Sequence, residues 1–260
     1  MPGNHSNTSS NDFQHHCTIL TLYSNPPAAM AFNLSKPNRK IQAGVILTKG
    51  VTEMLDVAPF EFFGWTDETA CRVMNLPEEM WKDAIDIELH WVSEDGKPVQ
   101  MKSAAQIEPT DSFASCPPLD IALMGASVGH KTSDAEIAFI RKVYDQCSAF
   151  LTICGGVMPP LEAGILAGKT ATGPRLVIGA LRERAPAVNW VETRWAHDGK
   201  LWTSSSLLNG TDMMRAFVEA TWGGKSGMFE ALLDIGGFPA RDVDFKDFKG
   251  HHYPMEKLEF

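Results

Sequence analysis

The chain reads as an α/β domain built on a mostly parallel sheet with both faces covered, and three observations point there. Short apolar runs at 41–48, 120–125 and 149–153 have the length and composition of buried strands. Stretches of helical character separate them, and strands alternating with helices are the pattern of parallel pairing. The third observation is the run Ala149-Phe150-Leu151-Thr152-Ile153-Cys154-Gly155-Gly156, which places a cysteine at a strand-to-helix turn. At 260 residues the chain can bury a full core as one large domain.

Taken in order, residues 1–16 are polar enough to be disordered, 17–23 suits a short strand or a segment packed across the body, and 25–39, with three prolines, suits a loop. The strand 41–48 ends at Lys49-Gly50. Thr52 can cap a helix carrying Met54, Leu55, Val57, Phe60, Phe62 and Phe63 and stopping near Gly64. A second helical piece over 67–83 is interrupted around Pro77. Residues 85–93 alternate like a strand; Glu94-Asp95-Gly96-Lys97 reads as a hairpin turn and 99–107 as its return. The strand 120–125 opens into Ala126-Ser127-Val128-Gly129-His130. Ser133, with Glu136 in capping-box position, starts an amphipathic helix carrying Ile137, Ile140, Val143 and Tyr144. The strand 149–153 leads through the glycine pair into a helical stretch over 157–168. A short strand is expected at 175–179, a strand-turn-strand over 190–204 with its turn at Asp198-Gly199, a helix at 211–221, and a short helix at 228–233 before an irregular tail. Sheets of this kind bind ligands at the carboxyl ends of their strands, which is where Cys154, 125–129 and 49–56 fall.

Composition narrows the partners. A net charge of −9 without a basic cluster argues against nucleic acid and for a small-molecule ligand. The apolar stretches fall far short of the roughly 20 residues that a membrane span needs, and the polar start does not read as a signal peptide. Five scattered cysteines without a CxxC pair suit neither a disulfide framework nor a structural zinc site. His15-His16 and His251-His252 lie in polar terminal segments, where solvent exposure is the simplest explanation. For Cys154 two readings stand side by side. It is either a nucleophile, activated by the N–H groups and dipole of a helix start, or an inert packed thiol.

The order GVILTKGVTEMLDVAPFEFF, PPLDIALMGASVG, LTICGGVMPPLEAGILAGKTATGPR and RWAHDGKLWTSSSLLNGTDMMRAF resembles the ThiJ/PfpI superfamily, the class I glutamine amidotransferase-like proteins, and within it the isonitrile hydratase branch. The resemblance is colinear over 41–222. It implies a flavodoxin-like three-layer α/β/α sandwich with a nucleophile elbow, divided into an N-terminal extension (1–40), a catalytic domain (41–222) and a C-terminal extension packing on it (223–260). It further implies Cys154 as the nucleophile, Asp56 as the carboxyl group that contacts it, and backbone donors at Gly125, Ala126, Ser127 and Gly155 that hold the substrate. His130 and Glu61 are candidates for the pocket wall. The activity implied is cofactor-free and metal-free addition of water to an isonitrile, in a cytoplasmic homodimer. Rival readings are a glyoxalase-like or deglycase-like activity, a lyase or hydrolase step in secondary metabolism, and a redox sensor acting through Cys154.

Two departures bear on the substrate. The residue after the cysteine is Gly155, where isonitrile hydratases usually carry threonine and the protease-like branch carries histidine. Without that histidine a peptidase would lack its general base. Thr172-Gly173-Pro174-Arg175 also stands where bacterial relatives carry a threonine-histidine-tryptophan run, and Pro159-Pro160 occupies the first turns after the elbow.

Overall fold

Seven strands form the central sheet of the computed structural model: β1 (Ile41–Ile46), β2 (Ile87–Ser93), β3 (Asp111–Ser112), β4 (Ile121–Met124), β5 (Ala149–Ile153), β6 (Trp195–Asp198) and β7 (Leu201–Ser204). Their order is β6-β7-β5-β4-β1-β2-β3, and every neighbouring pair is parallel except the β6–β7 hairpin. Among the described residues seven helices flank it: α1 (Met54–Val57), α2 (Glu68–Val73), α3 (Asp134–Gln146), α4 (Met158–Glu162), α5 (Ile178–Arg184), α6 (Asn209–Trp222) and α7 (Met228–Ile235). The described residues are 32–246, all within the unit Ala31–Phe260. The expectations for 1–16 and 17–23, and both terminal histidine pairs, lie outside them.

Because side chains alternate along a strand, a central parallel strand must bury both of its sides. Val45, Leu123 and Leu151 stand in register across β1, β4 and β5 and face Phe63, Phe217 and Trp222. On the opposite side Ala122 and Phe150 are paired and meet Ile140, Val143, Ile178 and Leu181. These two cores, with the sheet between them, make the three layers. None of the helices among the described residues is long and apolar enough to cross a membrane.

The Ser133 capping box is complete: Glu136 N–H donates to Ser133 Oγ at 3.1 Å, and Ser133 N–H donates to Glu136 Oε2 at 2.7 Å. Ser133→Ala should therefore cost about 1 kcal/mol, read as a lower urea midpoint with an unchanged slope.

Several local expectations need correction. The 175–179 segment is a 3-10 turn (Arg175–Val177) leading into α5, not a strand. Ile178 and Leu181 are buried three residues apart while Leu176 is 60% exposed, so the burial period is helical. Residues 99–107 do not return along β2: Val99–Gln100 pairs with Gln106–Ile107, and β3 runs parallel beside β2. The Asp95 carboxylate accepts the Lys97 N–H at 3.2 Å and closes that turn locally, without a partner strand. The helix expected to run to Gly64 stays α-helical only through Val57, because Pro59 lacks an N–H, and it continues as a 3-10 helix over Ala58–Trp65. The stretch 157–168 is likewise helical only as α4, beyond which Gly164 and Gly168 adopt φ of 77° and 75°.

Candidate active site

Strand β5 ends extended at Ile153, and the next residue, Cys154, is left-handed with φ 57°. That conformation costs a non-glycine residue roughly 1–3 kcal/mol, and strain of this kind gathers at functional sites. It turns the chain sharply at the strand's carboxyl end, into a 3-10 turn (Cys154–Val157) and then α4. Gly156 makes the turn possible, since a Cβ there would stand 2.2 Å from the Met124 carbonyl oxygen at the end of β4. Pro159 and Pro160 are both buried in the first turn of α4, where a missing N–H breaks no intrahelical bond.

Asp56 reaches the elbow from the other side of the sheet's switch region. Val51–Thr52 pairs antiparallel with Ser127–Val128, which ties the loop after β1 to the loop after β4. The single turn of α1 then sets Asp56 against Gly125, where a Cβ would lie 2.8 Å from that of Asp56. Gly125 thus makes room for the carboxyl group. The Ala126 N–H, expected to face substrate, donates instead to Asp56 Oδ2 at 2.7 Å. Asp56 is fully buried, and its Oδ1 has no hydrogen-bond partner. Burial pushes the Asp56 carboxyl up to about 7; the Ala126 N–H pulls it back, and the charge of Glu53 adds to the rise.

Glu53 completes the group and went unnoticed in the sequence. It is the N-cap residue of α1, one position later than the Thr52 cap expected, and its side chain makes no capping bond. One donor atom each from Glu53, Asp56 and Cys154 lie within 4.8 Å of one another. The legible signal was spacing, because residues three apart share a helical face. Burial, then the charge of Asp56, pushes the Cys154 thiol up to about 12, against the Gly155 and Leu207 N–H groups that pull it down. The activation expected from a helix start is therefore outweighed, and the resting sulfur holds its proton. A cation shared by these three groups would first have to displace that proton.

The remaining candidates are placed differently. Glu61 is exposed on the 3-10 helix after α1. Ser127 Oγ is buried without a partner and sits where a Gly50 Cβ would be, 2.0 Å from that position. His130 Nε2 lies 2.8 Å from Glu136 Oε2, and Glu136, fully buried, also accepts N–H groups from Lys49 and Ser133. Burial alone would raise the Glu136 carboxyl, but these donors outweigh it and hold it below its ordinary range. A cleft of about 720 Å³ is lined in part by Ala126, His130, Gly155, Met158, Glu162 and Arg184.

The fold has counterparts among known proteins. The chain is 30% identical to isonitrile hydratase of Pseudomonas putida over 141 residues, 52% of this chain and 60% of that relative, so it spans less than two thirds of the relative's length. A ThiJ/PfpI family protein from Pseudomonas syringae superposes with a TM-score of 0.59 at 18% identity, covering 87% of this chain and 86% of the other. Drosophila melanogaster DJ-1beta does so with a TM-score of 0.57 at 16% identity, covering 77% and 100%. At such identities the two structures establish the shared flavodoxin-like fold. The signature of the DJ-1/PfpI family matches residues 45–220, and with the fold it shows that the chain belongs to the DJ-1/PfpI family.

Proposed function

We propose that the protein is a cysteine-dependent hydratase of the isonitrile type, working without metal or organic cofactor, with Cys154 as nucleophile and Asp56 as proton carrier. The observation that carries this reading is the convergence of the left-handed Cys154 sulfur and the sealed Asp56 carboxyl within 4.8 Å. At neutral pH Cys154 is a thiol and Asp56 is close to half ionised, so the carboxylate is the base that receives the thiol proton. As that proton leaves, sulfur bonds to the terminal carbon of R–N≡C, and the proton passes from Asp56 to the same carbon to give the thioimidate R–N=CH–S. Water adds its hydroxyl to this carbon and its proton to nitrogen. The C–S bond then breaks, the hydroxyl proton returns to sulfur, and R–NH–CHO departs.

A sensor role for Cys154 fits less well, because the thiolate is the form that peroxide oxidises and this sulfur is held protonated. The homodimer and cytoplasmic location belong to the same reading. Exposed Met54 and Leu55 on α1 and exposed Val128 beside Val51 supply apolar surface for a second copy near the site. The decisive measurement is incubation with p-nitrophenyl isonitrile, with the formamide followed by chromatography. Steady formation of N-(4-nitrophenyl)formamide is expected. Consumption of methylglyoxal with no formamide would replace this reading by the glyoxalase-like one.

A further inference from the structure

The cleft beside the elbow has a gradient of chemistry along it. Its lining follows the elbow and α4 from Gly155, one residue from the nucleophile and set against Ala126, through Met158 and Pro159 to Glu162, which holds Arg184; Lys131 lines it from the loop after β4. Lys131 is exposed and has no ion pair among the described residues, whereas Arg184 is engaged with Glu162 at 3.5 Å. The lining therefore holds two cationic side chains against one anionic one. The His130–Glu136 pair nearby is closed on itself at 2.8 Å. At about 720 Å³ the cleft is far larger than a two-atom isonitrile head requires and falls in the range that encloses a metabolite-sized ligand.

Gly155 controls the end next to the nucleophile. A Cβ at this position would stand 3.1 Å from the Ala126 Cβ and 3.6 Å from its Cα, so any side chain here would crowd Ala126 across the cleft. A threonine would fill that gap. The glycine, next in the chain to Cys154, lines the cleft without a side chain of its own.

Building on the reading of Cys154 as nucleophile, we propose that this cleft holds the tail of an extended substrate, apolar along its length and ending in a carboxylate or similar anion, which Lys131 and Arg184 receive. Gly155 is then the residue that admits a long tail. The reacting head lies at the elbow, and the tail runs along Met158 toward the basic side chains. A terminal anion there gains Lys131 outright and competes with Glu162 for Arg184.

Alkylation of Cys154 tests this without requiring turnover. Sulfur displaces iodide from an iodoacetamide, the S–C bond forms as the C–I bond breaks, and the thiol proton goes to Asp56 and then to buffer. Three probes are compared at the Cys154 peptide by mass spectrometry: iodoacetamide, N-hexyl iodoacetamide and 6-(iodoacetamido)hexanoate. In the wild type the second-order rate should rise at least tenfold from iodoacetamide to the carboxylate probe, with the hexyl probe between them. In Gly155→Thr the ratio of either tailed probe to iodoacetamide should fall to about one; taking ratios divides out any change in the sulfur's own reactivity. Lys131→Glu, on an exposed loop, should reverse the order of the carboxylate and hexyl probes. Equal rates for the three probes in the wild type, or tail ratios that survive Gly155→Thr, overturn the inference and leave the nucleophile reading standing. A Cys154 that none of the three labels overturns both.

Discussion

Asp56→Asn should lower isonitrile hydration by about 10²–10⁴-fold, the usual contribution of a positioned acid–base group, while Cys154→Ala should leave only the uncatalysed rate. Asparagine keeps the shape and can still accept the Ala126 N–H bonded to Oδ2 at 2.7 Å, so the elbow's surroundings are preserved. What disappears is the proton acceptor next to a thiol that is pushed up to about 12. For the same reason the wild-type rate should climb with pH through about 7 as Asp56 ionises, and the residual rate of Asp56→Asn should lack that step. An asparagine variant with an intact rate and the same pH step would remove Asp56 from the chemistry.

The same substitution should change stability in the opposite direction. In the unfolded chain Asp56 loses its proton near pH 4, whereas the folded protein keeps it to about 7. Between those values the folded state binds the extra proton, so this group makes stability fall as pH rises from about 4 to about 7 and contributes no further slope above that. A shift of about three pH units corresponds to on the order of 4 kcal/mol. Urea unfolding at pH 5 and pH 8 should show the asparagine variant gaining about 2–3 kcal/mol on the wild type at the higher pH, because part of the change is already complete at pH 5. A constant difference between the two proteins would show that the carboxyl group is not held up by burial.

Gly156→Ala carries the other large effect. A methyl placed 2.2 Å from the Met124 carbonyl oxygen cannot be met by rotating a side chain, because the obstacle is backbone at the end of β4. The strand end or the elbow must move, at about 3 kcal/mol or more. Either shift also displaces Cys154, so loss of hydration should accompany a lowered urea midpoint. A Gly156→Ala protein with wild-type stability would mean that the elbow is slack.

Much of this architecture could be read from the residues because burial and spacing agree there. The apolar runs became β1, β4 and β5, and Ser133 with Glu136 capped α3 where its pattern said it would. Colinear motifs brought Asp56 and Cys154 into view although 98 positions separate them in the chain. Short apolar segments were the harder cases. Residues 175–179 offer too few positions to separate a period of two from one of three to four, and α5 was missed for that reason. The partner of 99–107 depends on which sheet edge is free, a property of the whole fold and not of the turn residues. Glu53 was overlooked because Thr52 offered a better capping side chain, yet the helix begins one residue later. The protonated state of Cys154 arises from burial and from a charge brought in by a distant segment, neither of which is visible in the run around it.

Ala126 occupies an unusual crossing point. Its amide holds Asp56, its methyl group abuts the space above Gly155, and it forms part of the cleft's lining. A bulkier residue at this position would disturb proton handling and ligand reach in one step, so natural or engineered diversification of substrate choice has little freedom there. Variation is cheaper at the far end of α4, around Glu162 and Arg184, where a change of length or sign re-tunes selectivity and leaves the reacting centre untouched.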